Sequence, residues 1–287
     1  MRHVHDFDLG LAGPILAAEA RAQFDQSFPL QPAVLGHNLA NHPLLSLEML
    51  ALAAGRMKPE HVECRSSATA NGHEFAHAGT DRVADTIRNI GEAGRWVMLR
   101  FAEQLPEFAD LLSQLLAEIE PVVGRFGRPL NPQAFIFISS PGTLTPFHFD
   151  PEFNILFQIA GQKRFATYPV VAPWLDNAKQ ALFHRDGDNL LSWDPAYAEA
   201  ATVHTLNPGD ALFVPYKASH WVEVAEEPSI SLSLTWSCAV TLELEAAWQL
   251  HGWLAEHGIS SKAPPAFPGR SPWQAGLRRG LGMLGLV

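Results

Sequence analysis

The sequence predicts a mainly β fold, a barrel or jelly roll of short antiparallel strands with helical additions at both ends. Three observations carry that expectation. Between Gln133 and Ser237, AFIFIS, FNILFQIA, KRFATYPV, DALFVP, HWVEV and SISLSLTWS alternate apolar and polar residues with a period of two. The turn signals PG, AGQ, NPGD and EEP punctuate these runs, and on either side of them the apolar spacing lengthens to three or four. Several short strands with such turns suggest a barrel or jelly roll.

Residues 1–130 read as a helical region with a few short strands that packs on the barrel. PILAAEARAQF, HPLLSLEMLALAAG, TDRVADTIRNIGEAG and EQLPEFADLLSQLLAEIEPVV each carry helical periodicity. Residues 131–238 form the barrel. Residues 239–287 form C-terminal helices: ELEAAWQLHGWLAEH follows Thr241 as N-cap and stops at Gly258, giving about four turns. After the linker KAPPAFPGR, Ser271 and Pro272 open a last helix bearing Trp273, Leu277, Leu281 and Leu284. Two apolar terminal helices are a candidate homodimerisation element; covering one end of the barrel is an equal reading.

The composition is that of a globular protein, with 47% hydrophobic and 17% charged residues among 287. No run approaches the length of a membrane span and MRHVHDFDLGLAG lacks the plan of a signal peptide, so a soluble, cytoplasmic protein is expected, with no membrane partner. A formal net charge of -10 disfavours nucleic acid as a partner. The two cysteines, Cys64 and Cys238, form no C-x-x-C pair and predict neither a disulfide scaffold nor a thiolate zinc site.

Chemistry concentrates in TPFHFDPEFNILFQIAGQKRFATYP. On a strand, His148 and Asp150 share one face while Phe147 and Phe149 turn into packing. NPGDALFVPYKASHWVEV offers His220 at the start of a later strand, expected to neighbour the first. Two imidazoles and a carboxylate occupy one face of an octahedron and suit iron(II), leaving three positions open. A structural zinc would close a fourth. A lone H-x-D is more often a strand-edge histidine, so its surroundings decide.

With these motifs the sequence resembles the JmjC-domain oxygenases, including their bacterial cupin-like members and the branch of asparaginyl hydroxylases that acts on hypoxia-inducible factor. The likeness spans Gln133 to Ser237 and, more loosely, QPAVLGHN upstream. It implies a double-stranded β-helix of cupin/JmjC type, with His148, Asp150 and His220 as catalytic iron ligands and 2-oxoglutarate and O2 as co-substrates.

A keto-acid co-substrate needs a fixed cation for its far carboxylate. Lys163, fifteen positions after His148 and following the AGQ turn, matches the family's lysine in type and position; a hairpin is expected to return it beside the metal strand. The family also places a hydroxyl three residues before the first histidine, here Thr145, and in its hydroxylase branch an asparagine six residues after it, here Asn154. Asn154 shares the parity of His148 along a continuous strand; Thr145 does not, and Pro146 is the expected irregularity that turns it inward. ISLSLTWS sets Ser231, Ser233, Thr235 and Ser237 on one wet or pocket-facing side. Thr235 stands where the asparaginyl hydroxylases have an asparagine near the co-substrate, and Ser237 where they have a tryptophan, so this wall departs from theirs.

The resemblance implies hydroxylation of an amino-acid side chain in a peptide, a protein or a small amino-acid-like substrate, driven by oxidative decarboxylation of 2-oxoglutarate to succinate and carbon dioxide. The alternatives are N-demethylation by the same chemistry, a metal-dependent cupin enzyme without 2-oxoglutarate, against which Lys163 argues, and a silent binding or regulatory protein, against which the intact triad argues. His3, His5, His37 and His42 read as exposed or capping residues. His184 and His204 flank a long segment where the family builds its substrate entrance, and Arg278 and Arg279 read as the polar edge of a packed helix.

Overall fold

The computed structural model describes residues 13–66 and 77–285; His3 and His5 lie outside them. In chain order the elements are α1 (Ala18–Ser27), β1 (Ala33–Gly36), α2 (Leu47–Arg56), β2 (Val62–Ser66), α3 (Val83–Arg88), α4 (Ile90–Ala93), β3 (Arg95–Leu99), α5 (Pro106–Val123), β4 (Leu130–Ser139), β5 (Leu144–His148), β6 (Phe153–Ala160), β7 (Lys163–Thr167), α6 (Asn177–Asp186), β8 (Thr202–Leu206), β9 (Asp210–Val214), β10 (His220–Val224), β11 (Ser229–Ser237), α7 (Ala239–Glu256) and α8 (Pro272–Met283). Among the described residues the strands form two antiparallel sheets, one ordered β1-β9-β6-β11-β4-β3-β2 and the other β5-β10-β7-β8. This is the jelly roll that the strand pattern predicts.

The sheets face each other, and the period-two patterning of the larger one decides what lies on its two sides. Along β11, Leu232, Leu234 and Trp236 enter the main hydrophobic core under the helical layer. The alternate residues Ser233 and Thr235 turn between the sheets and line a cavity. Along β6, Phe153, Ile155 and Phe157 take the core side, while Asn154 and Leu156 take the cavity side. Phe153 and Trp236 stack at 5.6 Å, with Phe24 of α1 edge-on to Phe213 at 5.0 Å. Both faces of β11 are therefore buried although every second residue is polar: Ser229 and Ser231 accept from Gln158 and Lys163, and Ser233 and Thr235 lie in the cavity wall.

Several local expectations change. The AGQ turn does not make a hairpin, because β6 pairs with β9 and β11 while β7 pairs with β10 and β8. The turn instead carries the chain from one sheet to the other. Gly161 makes that crossing at φ +66, where an added Cβ would lie 2.2 Å from the carbonyl oxygen of Pro228, so only glycine fits. The Gln158 amide holds the corner by donating to the carbonyls of Ala160 and Gly161 and to Ser229 Oγ.

Thr241 is not the N-cap of α7. The helix starts two residues earlier, at Ala239, because Thr241 Oγ1 accepts from the Cys238 backbone N–H and thereby acts from the third helical position. The upstream region is also more than scaffold: β1, β2 and β3 extend the larger sheet, and Glu63, Arg65, Trp96 and Met98 form part of the cavity wall. His42 caps the short helix Pro43–Leu45 through the Leu44 N–H. His37 is instead wedged against β6 and β9, its Nε2 3.1 Å from the carbonyls of Gln158 and Asp210, and burial lowers its pKa to about 4. Among the described residues no helix is long and apolar enough to cross a membrane.

Candidate metal centre and its cavity

The irregular stretch between β5 and β6 sets the geometry of the site. β5 pairs with β10 so that His148 stands opposite His220, and Asp150 follows just beyond the strand. His148 Nε2 lies 3.9 Å from one Asp150 oxygen and His220 Nε2 lies 3.6 Å from the other. One ligand atom from each of the three residues falls within 4.8 Å of the other two.

Both rings are fixed through their other nitrogen. His148 Nδ1 is 2.7 Å from the carbonyl of Pro146 and His220 Nδ1 is 2.9 Å from that of Ala218. A carbonyl only accepts, so each Nδ1 carries the proton and each Nε2 turns a lone pair toward Asp150. His220 is buried and stacks on Phe165 at 4.9 Å; burial, then the neighbouring His148, lowers its pKa to about 4. The imidazole is thus neutral and ready to ligate at neutral pH. Two imidazoles and one carboxylate on one side, facing a cavity, are a donor set for a divalent transition metal with free positions.

The cavity of about 710 Å³ lies between the sheets and contains Thr145, Asn154, Lys163 and Thr235 in its wall together with the triad. The structure thus brings all seven residues singled out in the sequence to one place, though not always by the expected route. Thr145 turns inward because β5 carries a bulge: His148 opposes His220 but Thr145 opposes Val222, which leaves one extra residue beside Pro146. Asn154 arrives without any continuity of parity, since it belongs to the opposite sheet, where it pairs with Thr235. Ser237 is buried outside that wall.

Lys163 is 3% exposed, and its ammonium donates to Ser231 Oγ at 2.6 Å and lies 5.7 Å from the Phe137 ring. No acidic side chain pairs with it among the described residues, and burial lowers its pKa to about 7. Nearby, Asn154 Oδ1, Ser233 Oγ and Thr235 Oγ1 are buried without a hydrogen-bond partner. A lone buried amine beside unsatisfied polar atoms is costly in an isolated protein and becomes favourable once a ligand carboxylate completes it.

Sequence reasoning missed several cavity residues. Asn189 donates to the Phe149 carbonyl at 2.9 Å and reaches Asp150 Oδ1 at 3.4 Å, bracing the carboxylate from the loop after α6. Phe183, Asp188 and Leu190 of the same stretch line the mouth. Glu152 is half-buried in the wall, and desolvation, followed by the charges of Asp150 and Glu245, raises its pKa to about 7. The loop belongs to the long segment between His184 and His204 where the resemblance places a substrate entrance, but nothing in the sequence singles out these residues within it. His184 points away from the metal, 3.0 Å from Lys217 Nζ, and His204 lies 3.4 Å from Thr167 Oγ1.

Comparison with known proteins bears on the fold and the family. Over 114 residues the chain is 33% identical to Jumonji C domain-containing protein 5 of Drosophila melanogaster, a match covering 35% of this chain and 26% of that protein. It is 32% identical over 106 residues to Lysine-specific demethylase 8 of Xenopus tropicalis, covering 33% and 23%. The chain therefore matches about a quarter of the length of these curated relatives. Among solved structures, Escherichia coli YcfD superposes with a TM-score of 0.55 at 20% identity, over 92% of this chain and 67% of that one. YcfD, a ribosomal oxygenase, in complex with cobalt and 2-oxoglutarate superposes at 0.54 and 20% identity, over 95% and 67%, a likeness of fold. The family described as a cupin-like domain matches residues 77–239, more than half of the chain, and the chain belongs to that family.

Proposed function

We propose that this protein is an iron(II)- and 2-oxoglutarate-dependent oxygenase that hydroxylates an amino-acid side chain of a peptide or protein. One observation carries the reading: the buried, acid-free Lys163 shares a cavity with a His-Asp-His ligand set. The triad alone would suit many cupins. A buried amine at the far side is what a dicarboxylate held at the metal by its other end requires. The similarity to Lysine-specific demethylase 8 and to the ribosomal oxygenase YcfD in complex with cobalt and 2-oxoglutarate supports the same reading.

In this reading His148, Asp150 and His220 would hold iron(II). Lys163 and Thr145 bind the far carboxylate, with Asn154 and Thr235 completing the polar wall. Iron with 2-oxoglutarate and O2 supplies the oxidising power for attack on a C–H bond. The chain's own part is positional. Asn189 fixes Asp150, the two backbone carbonyls fix the imidazoles, and Ser231 fixes the lysine. Phe137, Phe165, Leu156 and Val222 give the cavity an apolar side that disfavours water, and Glu63, Trp96, Arg100 and Asp188 share its wall.

Hydroxylation is preferred to N-demethylation because the Asn154 match belongs to the hydroxylase branch. The test is iron-dependent conversion of 2-oxoglutarate to succinate by the purified protein, which should vanish in Asp150→Ala. Retention of succinate formation in that variant would contradict the assignment. We place the protein in the cytoplasm, in keeping with two free, buried cysteines. We also assign self-association to α8, on which Trp273 is 61% and Leu277 46% exposed.

A further inference from the structure

The short turn between β9 and β10 touches two of the three metal ligands. The Lys217 backbone N–H donates to the Asp150 carbonyl at 3.1 Å, and the Ala218 carbonyl accepts from His220 Nδ1 at 2.9 Å. Lys217 holds a left-handed backbone in this turn, φ +61, which side chains other than asparagine and aspartate rarely adopt, so its surroundings must secure it.

The lysine side chain leads away from the metal ligands. It is 2% exposed and reaches both α6 and α7. Its ammonium donates to Gln180 Oε1 at 3.1 Å and to His184 Nε2 at 3.0 Å, both on α6. Burial, then the charge of Lys217, lowers the His184 pKa to about 3, so the ring is neutral and its Nε2 accepts. From α7, Glu245 acts on the charge of the lysine and the Trp248 ring lies 5.1 Å from the ammonium. The ammonium is thus answered by the protein itself, and both of its hydrogen bonds hold α6.

That hold matters because α6 buries none of its residues fully. Its other contacts include Phe183 edge-on to Phe149 at 5.0 Å, Ala181 close against Gly252 of α7, and Arg185 paired with Glu256 at the surface. Three residues past the end of α6 stands Asn189, which donates to the Phe149 carbonyl at 2.9 Å and lies 3.4 Å from Asp150 Oδ1. The chain then follows β5, with Leu190 bridging to His148 and the Leu191 N–H donating to the Phe147 carbonyl at 2.8 Å. Lys217 therefore reaches Asp150 by two routes, directly through its backbone and indirectly through α6 and Asn189.

We propose that Lys217 is a positioning residue for the metal site: its ammonium seats α6, and the seated helix delivers Asn189 to the Asp150 carboxylate. The assignment rests on the metal reading of the triad and is independent of 2-oxoglutarate.

The experiment is anaerobic calorimetric titration of the full chain with iron(II) alone, with thermal unfolding recorded for each variant. Asn189→Ala should weaken iron(II) binding about tenfold, the loss usual for a partner that orients a ligand. Lys217→Met, which keeps the stem and removes the ammonium, should weaken it about tenfold as well. Combined, the two should still cost only about tenfold, because both act through one contact, whereas independent effects multiply to about a hundredfold. A lysine that merely stabilised the fold would lower the unfolding temperature without that coupling. Gln180→Ala with His184→Ala removes the same two bonds from the half-exposed side of α6 and is expected to behave as Lys217→Met does, which keeps the test open if the lysine variant does not fold. Unchanged iron(II) affinity in Asn189→Ala, in Lys217→Met or in the α6 pair, or multiplicative losses on combination with Asn189→Ala, overturns the assignment while leaving the triad as the metal site. Absence of iron(II) binding by the wild type overturns the metal reading itself and the assignment with it.

Discussion

His148 and His220 stand directly opposite each other on β5 and β10, with ring centroids 4.1 Å apart and each Nδ1 tied to a backbone carbonyl two residues before it. The same i to i-2 tether on two antiparallel strands aims both Nε2 atoms at Asp150 without any side-chain partner. The metal-binding face is therefore set by strand register, and the remaining predictions concern what the cavity adds to it.

Lys163→Ala should weaken 2-oxoglutarate binding on the order of 10²-fold while leaving iron binding within a few-fold of wild type, since it strands one partner of a buried charge pair. Parallel calorimetric titrations with iron(II) and with 2-oxoglutarate check this. Equal loss of both would make the lysine structural.

The same amine predicts a pH dependence. Burial lowers the Lys163 pKa to about 7, and binding a carboxylate favours the charged form. Below about pH 7 the free site already carries the charge and affinity is at its plateau. Above it the amine must take up a proton on binding, so the 2-oxoglutarate dissociation constant should rise by up to about tenfold per pH unit until the pKa of the bound state is reached. Lys163→Met should flatten this profile between pH 6 and 9. Without ligand the sign reverses for folding: the unfolded lysine keeps its proton to about pH 10.4, so the stability cost of charging Lys163 is full below pH 7 and fades as pH rises toward that value.

Gly161→Ala should destabilise the fold by about 2 kcal/mol or more, because the added methyl meets Pro228 at the sheet-to-sheet corner and φ is left-handed. Chemical denaturation measures it. A loss within experimental error would show that the corner relaxes freely.

We predict that the wild type sediments as a dimer and that replacing both Trp273 and Leu277 by Glu leaves a monomer, which sedimentation velocity checks. Identical sedimentation of the two proteins would remove α8 from any interface.

Much of the barrel was legible because period-two alternation and turn residues are local signals, and a triad residue such as His148 announces itself within a few positions. Contacts between sheets are not local. Asn154 illustrates this: parity along one strand named the right residue, yet Pro151 and Glu152 break that strand and Asn154 reaches the cavity from the opposite sheet. The crossing at Gly161 was read as a hairpin because the same tripeptide serves both purposes. Asn189 could not be found at all, since its role depends on a loop folding back onto β5 from forty residues away.

The central claim, a metal and a keto acid held together in one cavity, is tested most directly by anaerobic addition of 2-oxoglutarate to the iron(II)-loaded protein while recording the visible spectrum. The account predicts a weak charge-transfer band that saturates with one equivalent of 2-oxoglutarate and is lost at the same concentrations in Lys163→Ala. An iron-loaded wild-type protein that shows no such band, or an equal band in the variant, would contradict it.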